Sequence, residues 1–100
     1  MWKIFLYKLL FYKYHQIKRL REGEVSCFCC GYKTLFQRGG YEICPVCFWE
    51  DDSLDEHGFS GANGMSLGEG QKNYRKYGAC KREMVNKVLP RRIVVKDGRK

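Results

Sequence analysis

Long apolar runs are missing from this chain. Within residues 1–21, the most hydrophobic stretch, the longest are residues 4–7 and 9–12, far short of the roughly 20 residues that cross a bilayer. Lys8 and Lys13 interrupt the stretch and no small-residue cleavage site follows it, so it makes a poor secretory signal. Histidine is scarce as well: His15 and His57 are the only two. Internal repeats and low-complexity segments are absent, and the glycine-rich residues 58–70 lack the lysine and the strand context that a phosphate-cradling loop needs. A hundred residues leave no room for two ordinary cores, which excludes a large multidomain enzyme.

What the chain does have is material for one modest core. Apolar types make up 44% and aromatics 15%, so it is not a disordered sequence. Ordering it costs on the order of 100 kcal/mol in conformational entropy, and a small domain buries a small share of its surface, so an added constraint is expected. Six cysteines can supply it. Five of them, Cys27, Cys29, Cys30, Cys44 and Cys47, crowd into 21 residues and Cys80 stands apart. A disulfide framework spreads its half-cystines along the chain, whereas such crowding favours metal, with a reducing cytosol as the expected compartment.

Charge divides the chain in three. Residues 1–24 carry +6 and −2, residues 25–60 carry +2 and −6, and residues 61–100 carry +11 and −3, which gives local balances of +4, −4 and +8 and the overall +8. The basic flanks invite anionic partners through counterion release and surface potential. Lys72, Arg75, Lys76, Lys81 and Arg82 with the tail residues Arg91, Arg92, Lys96, Arg99 and Lys100 are the candidate nucleic-acid contacts, although the tail also reads as a solvated end. In the first segment Lys3, Lys8, Lys13 and Lys18 recur every five residues, which scatters them around a helix and gives no clean membrane face. Contact with a membrane surface through snorkelling lysines stays open for residues 1–21, as does docking on a protein.

The elements can be placed coarsely. Gly23 ends a basic, aromatic N-terminal helix. Residues 33–36 and 41–43 suit a β-hairpin closed by Gln37-Arg38-Gly39-Gly40, joining the two cysteine pairs. Ser66 with Glu69 is a capping box for a helix over residues 67–77, weakened by Gly68 and Gly70, and Gly78 is its C-cap. Residues 81–88 suit a short helix stopped by Pro90, and Ile93-Val94-Val95 a final strand. Tyr32, Phe36, Tyr41, Phe48 and Trp49 are expected to form a small core around the cysteines.

The strongest signal is Cys27-x2-Cys30 followed, after thirteen residues, by Cys44-x2-Cys47. Each such turn lets two thiolates converge on one ion while backbone N–H groups donate to sulfur, and two facing turns complete a tetrahedron. Four thiolates leave no open position for water, so the site reads as structural zinc, with no catalytic residues assigned. Iron in a rubredoxin-like site uses the same turns, and Cys30-Gly31-Tyr32 and Cys44-Pro45-Val46-Cys47 resemble its knuckles, although Phe48 replaces the usual glycine. A C-x-x-C redox dithiol lacks its βαβ surroundings. Cys29 reads as a buried small side chain, and Cys80, beside Lys81, as a thiol whose pKa cations can lower. A second ion could be held by His57 with Asp51, Asp52 or Asp55, making a small metalloenzyme, but these residues also read as a solvated acidic loop.

Cys27-Phe28-Cys29-Cys30-Gly31-Tyr32 with Tyr41-Glu42-Ile43-Cys44-Pro45-Val46-Cys47-Phe48-Trp49-Glu50-Asp51-Asp52 resembles the small bacterial cysteine-rich CPCC domain family, and the similarity runs from residue 26 to about 90. Phe28 replaces the proline of the family's name. The resemblance implies a zinc-ribbon-like module and no established activity. The expected architecture is small α+β: a zinc-ribbon hairpin with one or two C-terminal helices over residues 25–90, a basic helical extension over 1–24, and a tail or strand over 91–100. Its expected role is a metal-stapled platform, first for a protein partner.

Overall fold

The computed structural model describes residues 2–53, 55, 56 and 58–100, with side chains from Leu10 onward. Among these, the chain forms α1 (Trp2–Glu22), β1 (Val25–Ser26), β2 (Lys33–Leu35), β3 (Phe59–Ser60), β4 (Met65–Ser66), α2 (Leu67–Tyr77), a 3-10 turn (Arg82–Met84) and α3 (Arg91–Asp97). The fold is small α+β and zinc-ribbon-like: two short antiparallel hairpins and three helices surround a cluster of four cysteines.

The β-hairpin expected between residues 33–36 and 41–43 does not form. Instead β2 pairs antiparallel with β1, Val25 opposite Leu35 and Ser26 opposite Lys33 with an irregular step between them, and Ile43 bridges to Glu50. Each cysteine turn reverses the chain and brings its own flanks together, so pairing stays local to each turn. Residues 36–42 become a tied loop. The Glu42 carboxylate accepts from the Phe36 and Gln37 amides, and Tyr41 takes a left-handed conformation at φ 61°, which a strand cannot accommodate.

Leu67, Gly70 and Tyr74 bury one face of α2. Its caps are those expected: Ser66 Oγ accepts from the Glu69 amide at 3.1 Å, and Gly78, at φ 89°, donates back to the Tyr74 carbonyl. Gly70 does not weaken this helix but permits it. A Cβ there would lie 2.6 Å from the Trp49 ring, so only glycine lets α2 lie on the indole. A Cβ on Gly68, by contrast, would meet open space.

Ile93-Val94-Val95, expected as a strand, lies in α3. Pro90 fixes its start, with its carbonyl accepting from the Ile93 and Val94 amides, and Val94 alone of the three is fully buried. No strand edge is offered there, and a single turn suffices to put Val94 into the core. Residues 81–88 form only the 3-10 turn, none of it buried.

Nor is the C-terminus a loose tail. The Arg99 carbonyl accepts from the Lys33 amide at 2.7 Å, and its guanidinium donates to the Gly23 carbonyl at 2.6 Å. The last turns of α1 pack on the domain beside it: Leu20 is fully buried, Gln16 donates to the Lys87 carbonyl and Arg19 to the Ile43 carbonyl. The expected aromatic core is only partly realised. Trp49 is buried and Tyr32 and Phe48 are half-buried, whereas Phe36 and Tyr41, on the tied loop, face solvent. No helix among the described residues is long and apolar enough to cross a membrane.

Candidate metal centre

The two cysteine turns are built alike. The Cys27 amide donates to the Tyr32 carbonyl and the Gly31 amide to the Cys27 carbonyl; the Cys44 amide donates to the Trp49 carbonyl and the Phe48 amide to the Cys44 carbonyl. Every residue of the first turn thus has a counterpart 17 positions on (27 to 44, 30 to 47), a structural repeat that the sequence conceals because little beyond the cysteines and one aromatic recurs. Gly31 and Phe48 occupy the same place and both have positive φ, 83° and 70°. Phe48 therefore departs from glycine in side chain and not in backbone path.

Cys27, Cys30, Cys44 and Cys47 are all buried, and their sulfurs lie within 4.8 Å of one another. Cys27 and Cys47 are 3.6 Å apart, as are Cys30 and Cys44. A tetrahedron with metal–sulfur bonds near 2.3 Å has edges of about 3.8 Å, so the donor set fits a single four-coordinate ion, while a disulfide would need about 2.05 Å. The Val46 amide approaches Cys44 Sγ at 3.4 Å, and the buried Thr34 hydroxyl at 3.1 Å. Burial works to raise the Cys44 thiol, but hydrogen bonds from Cys27, Cys30, Cys47 and Thr34 outweigh it and hold this group well below the ordinary thiol range. Cys27 is held high by its contacts with Cys30 and Cys44, and Cys47 chiefly by burial. Four thiolates cannot share this space without a cation between them, and a divalent ion removes that conflict.

The surplus cysteines are both buried. Cys29 lies under α2, its sulfur 3.5 Å from where a Gly70 Cβ would stand. Cys80 departs from expectation: burial pushes its thiol up to about 12, outweighing the nearby Lys81. Its amide donates to the Cys47 carbonyl at 2.7 Å and the Cys80 carbonyl accepts from the Asn73 side chain at 2.9 Å, so this stretch braces the second turn. The Leu89 amide braces the same turn through the Pro45 carbonyl.

Among the described residues no second metal site is assembled at the acidic loop. Asp51, buried, receives Arg38 Nη1 and the Gly39 amide, each at 2.6 Å. Asp52 accepts from Ser60 Oγ and the Ala62 amide. His57 lies outside the described residues, and among those described the four cysteines are the one group with metal-ligand geometry. Arg38 also reaches the Ser26 carbonyl and covers the Phe28 ring at 3.7 Å. Phe28 thus gives Arg38 a seat, and its carbonyl accepts from Gln71 of α2. Thr34 and Arg38 are the functional neighbours that sequence reasoning missed. The 17-residue offset could have found one of them, since it pairs Thr34 with Asp51, the buried polar residue of each turn.

A small α+β fold on two cysteine turns with a buried thiol tetrad defines a zinc-ribbon-like, metal-binding class of protein. Within that class the chain belongs to the cysteine-rich CPCC family, whose model matches residues 25–93. Comparison with curated proteins and with solved structures gave no match.

Proposed function

We propose that the chain is a structural-zinc module that offers its surface to a partner macromolecule and performs no catalysis. The observation that carries this reading is the buried set of four sulfurs within 4.8 Å. All four ligands come from the chain, so a bound ion has no position left for substrate or water. A four-thiolate tetrahedron admits zinc or iron; zinc is the reading adopted because closed four-cysteine shells that support the folding of small domains are the usual form of structural zinc sites. The partner proposed for the domain body is a protein. Exposed Phe59 stands beside Asp52, Asp55 and Glu56, in a segment of net charge −4, where phosphate would be repelled.

Elemental analysis of the purified chain tests the metal: one zinc per chain is expected, and a coloured protein containing iron would replace this reading with an electron carrier. A second ion per chain would reopen catalysis. Binding of nucleic acid through Lys72, Arg75, Lys76, Lys81, Arg82 and the C-terminal arginines and lysines would fall steeply with salt. A partner whose binding is flat in salt is the expected outcome.

A further inference from the structure

The exposed stripe along α1 carries an inference beyond this reading, independent of what binds the domain body. Gln16 and Leu20 hold one side of the helix against the domain. On the opposite side Leu10, Phe11 and Tyr14 are exposed by 68%, 55% and 61%, with Phe11 set edge-on to His15 at 4.4 Å. Tyr7 belongs to the same register, so positions 7, 10, 11 and 14 follow the i, i+3, i+4, i+7 spacing of a helix face. Lys18 continues that face toward the C-terminal end, where it becomes basic. The regular spacing of the lysines conceals this stripe in the sequence, because it draws attention to where the charges scatter and not to where the aromatics gather.

Residues 1–21 contain six lysines and arginines and no acid at all. That balance selects the occupant. A second copy of α1 would bring six like charges against six, whereas an anionic lipid surface complements them. Tyrosine and leucine suit the headgroup boundary, and lysines beside them can extend their charges to the phosphates while their stems stay in the apolar layer. The helix is too polar to cross a bilayer, which leaves it lying in the interface. We propose that α1 docks the protein on anionic membrane surfaces through the face bearing Leu10, Phe11 and Tyr14.

Flotation of the full, metal-loaded chain with vesicles tests this. Phosphatidylcholine vesicles containing phosphatidylglycerol are expected to carry the protein at low salt, with about a tenfold loss at high salt and with phosphatidylcholine alone. The double variant Leu10→Asp with Tyr14→Asp should lose binding by a similar factor while keeping its metal content and thermal transition, because both side chains are exposed. Lys72→Glu with Arg75→Glu, on α2, should bind as the unaltered chain does. Equal binding to neutral and anionic vesicles, an unaffected double variant, or an α2 variant that loses binding as much as the α1 variant would each overturn the proposal. So would a chain that ignores vesicles and dimerises through α1. Metal content measured on the same samples separates failure here from failure of the zinc reading.

Discussion

At Gly70 two ordinary rules predict opposite signs. Helix propensity favours alanine by up to about 1 kcal/mol, but the added Cβ would meet the Trp49 ring at 2.6 Å. Because a rigid indole cannot give way cheaply, Gly70→Ala should lower the stability of the metal-loaded protein by about 1–3 kcal/mol in urea unfolding, while Gly68→Ala, with open space around it, should raise it by up to about 1 kcal/mol. The sequence shows both as weak points in one helix. What tells them apart is a residue 21 positions upstream, and contacts of that range are not legible in local pattern. Cys80 gives a pH test. Its thiol is raised from 9.0 to about 12 by burial, so the folded state holds a proton that the unfolded state releases first. Its contribution is therefore complete below about pH 9 and is lost as pH climbs toward 12. Unfolding free energies compared at neutral and strongly alkaline pH should fall further for the native chain than for Cys80→Ala.

The elements that were legible are those with local causes. α2 begins and ends where its capping serine and its terminal glycine place it, and the ligand quartet follows from two short turns. The pairing of strands was not legible, because either hairpin satisfies the same alternation and the choice depends on Glu42, Arg38 and Asp51 tying the intervening loop. Arg38→Ala should accordingly destabilise the fold by about 3 kcal/mol, since it leaves Asp51 buried without its cation. Ile93-Val94-Val95 misled through its β-branched composition; in α3 Val94 is buried and Val95 is 68% exposed. Val94→Ala should cost about 2 kcal/mol and Val95→Ala no more than about 0.5 kcal/mol, by thermal or urea unfolding.

For the molecule as a whole, the metal is expected to decide whether there is a fold. Chelation should abolish near-ultraviolet dichroism and the cooperative thermal transition, with both restored by zinc, since a structural ion of this kind can supply roughly 10–16 kcal/mol of apparent folding energy. Removing the hydroxyl that steadies Cys44, in Thr34→Val, should weaken zinc affinity by about tenfold or more in competition with a chelator dye. Thr34 also ties the centre to the helix. Gly23, at the foot of α1, rests so closely on the Thr34 backbone that a Cβ would come within 2.6 Å of it, and Thr34 in turn touches the Cys44 sulfur. Only one residue therefore separates the root of the helix from the coordination shell. A tug on that helix is expected to be felt as a change in ion retention, which would make the rate of metal loss a strain gauge for any load placed on α1.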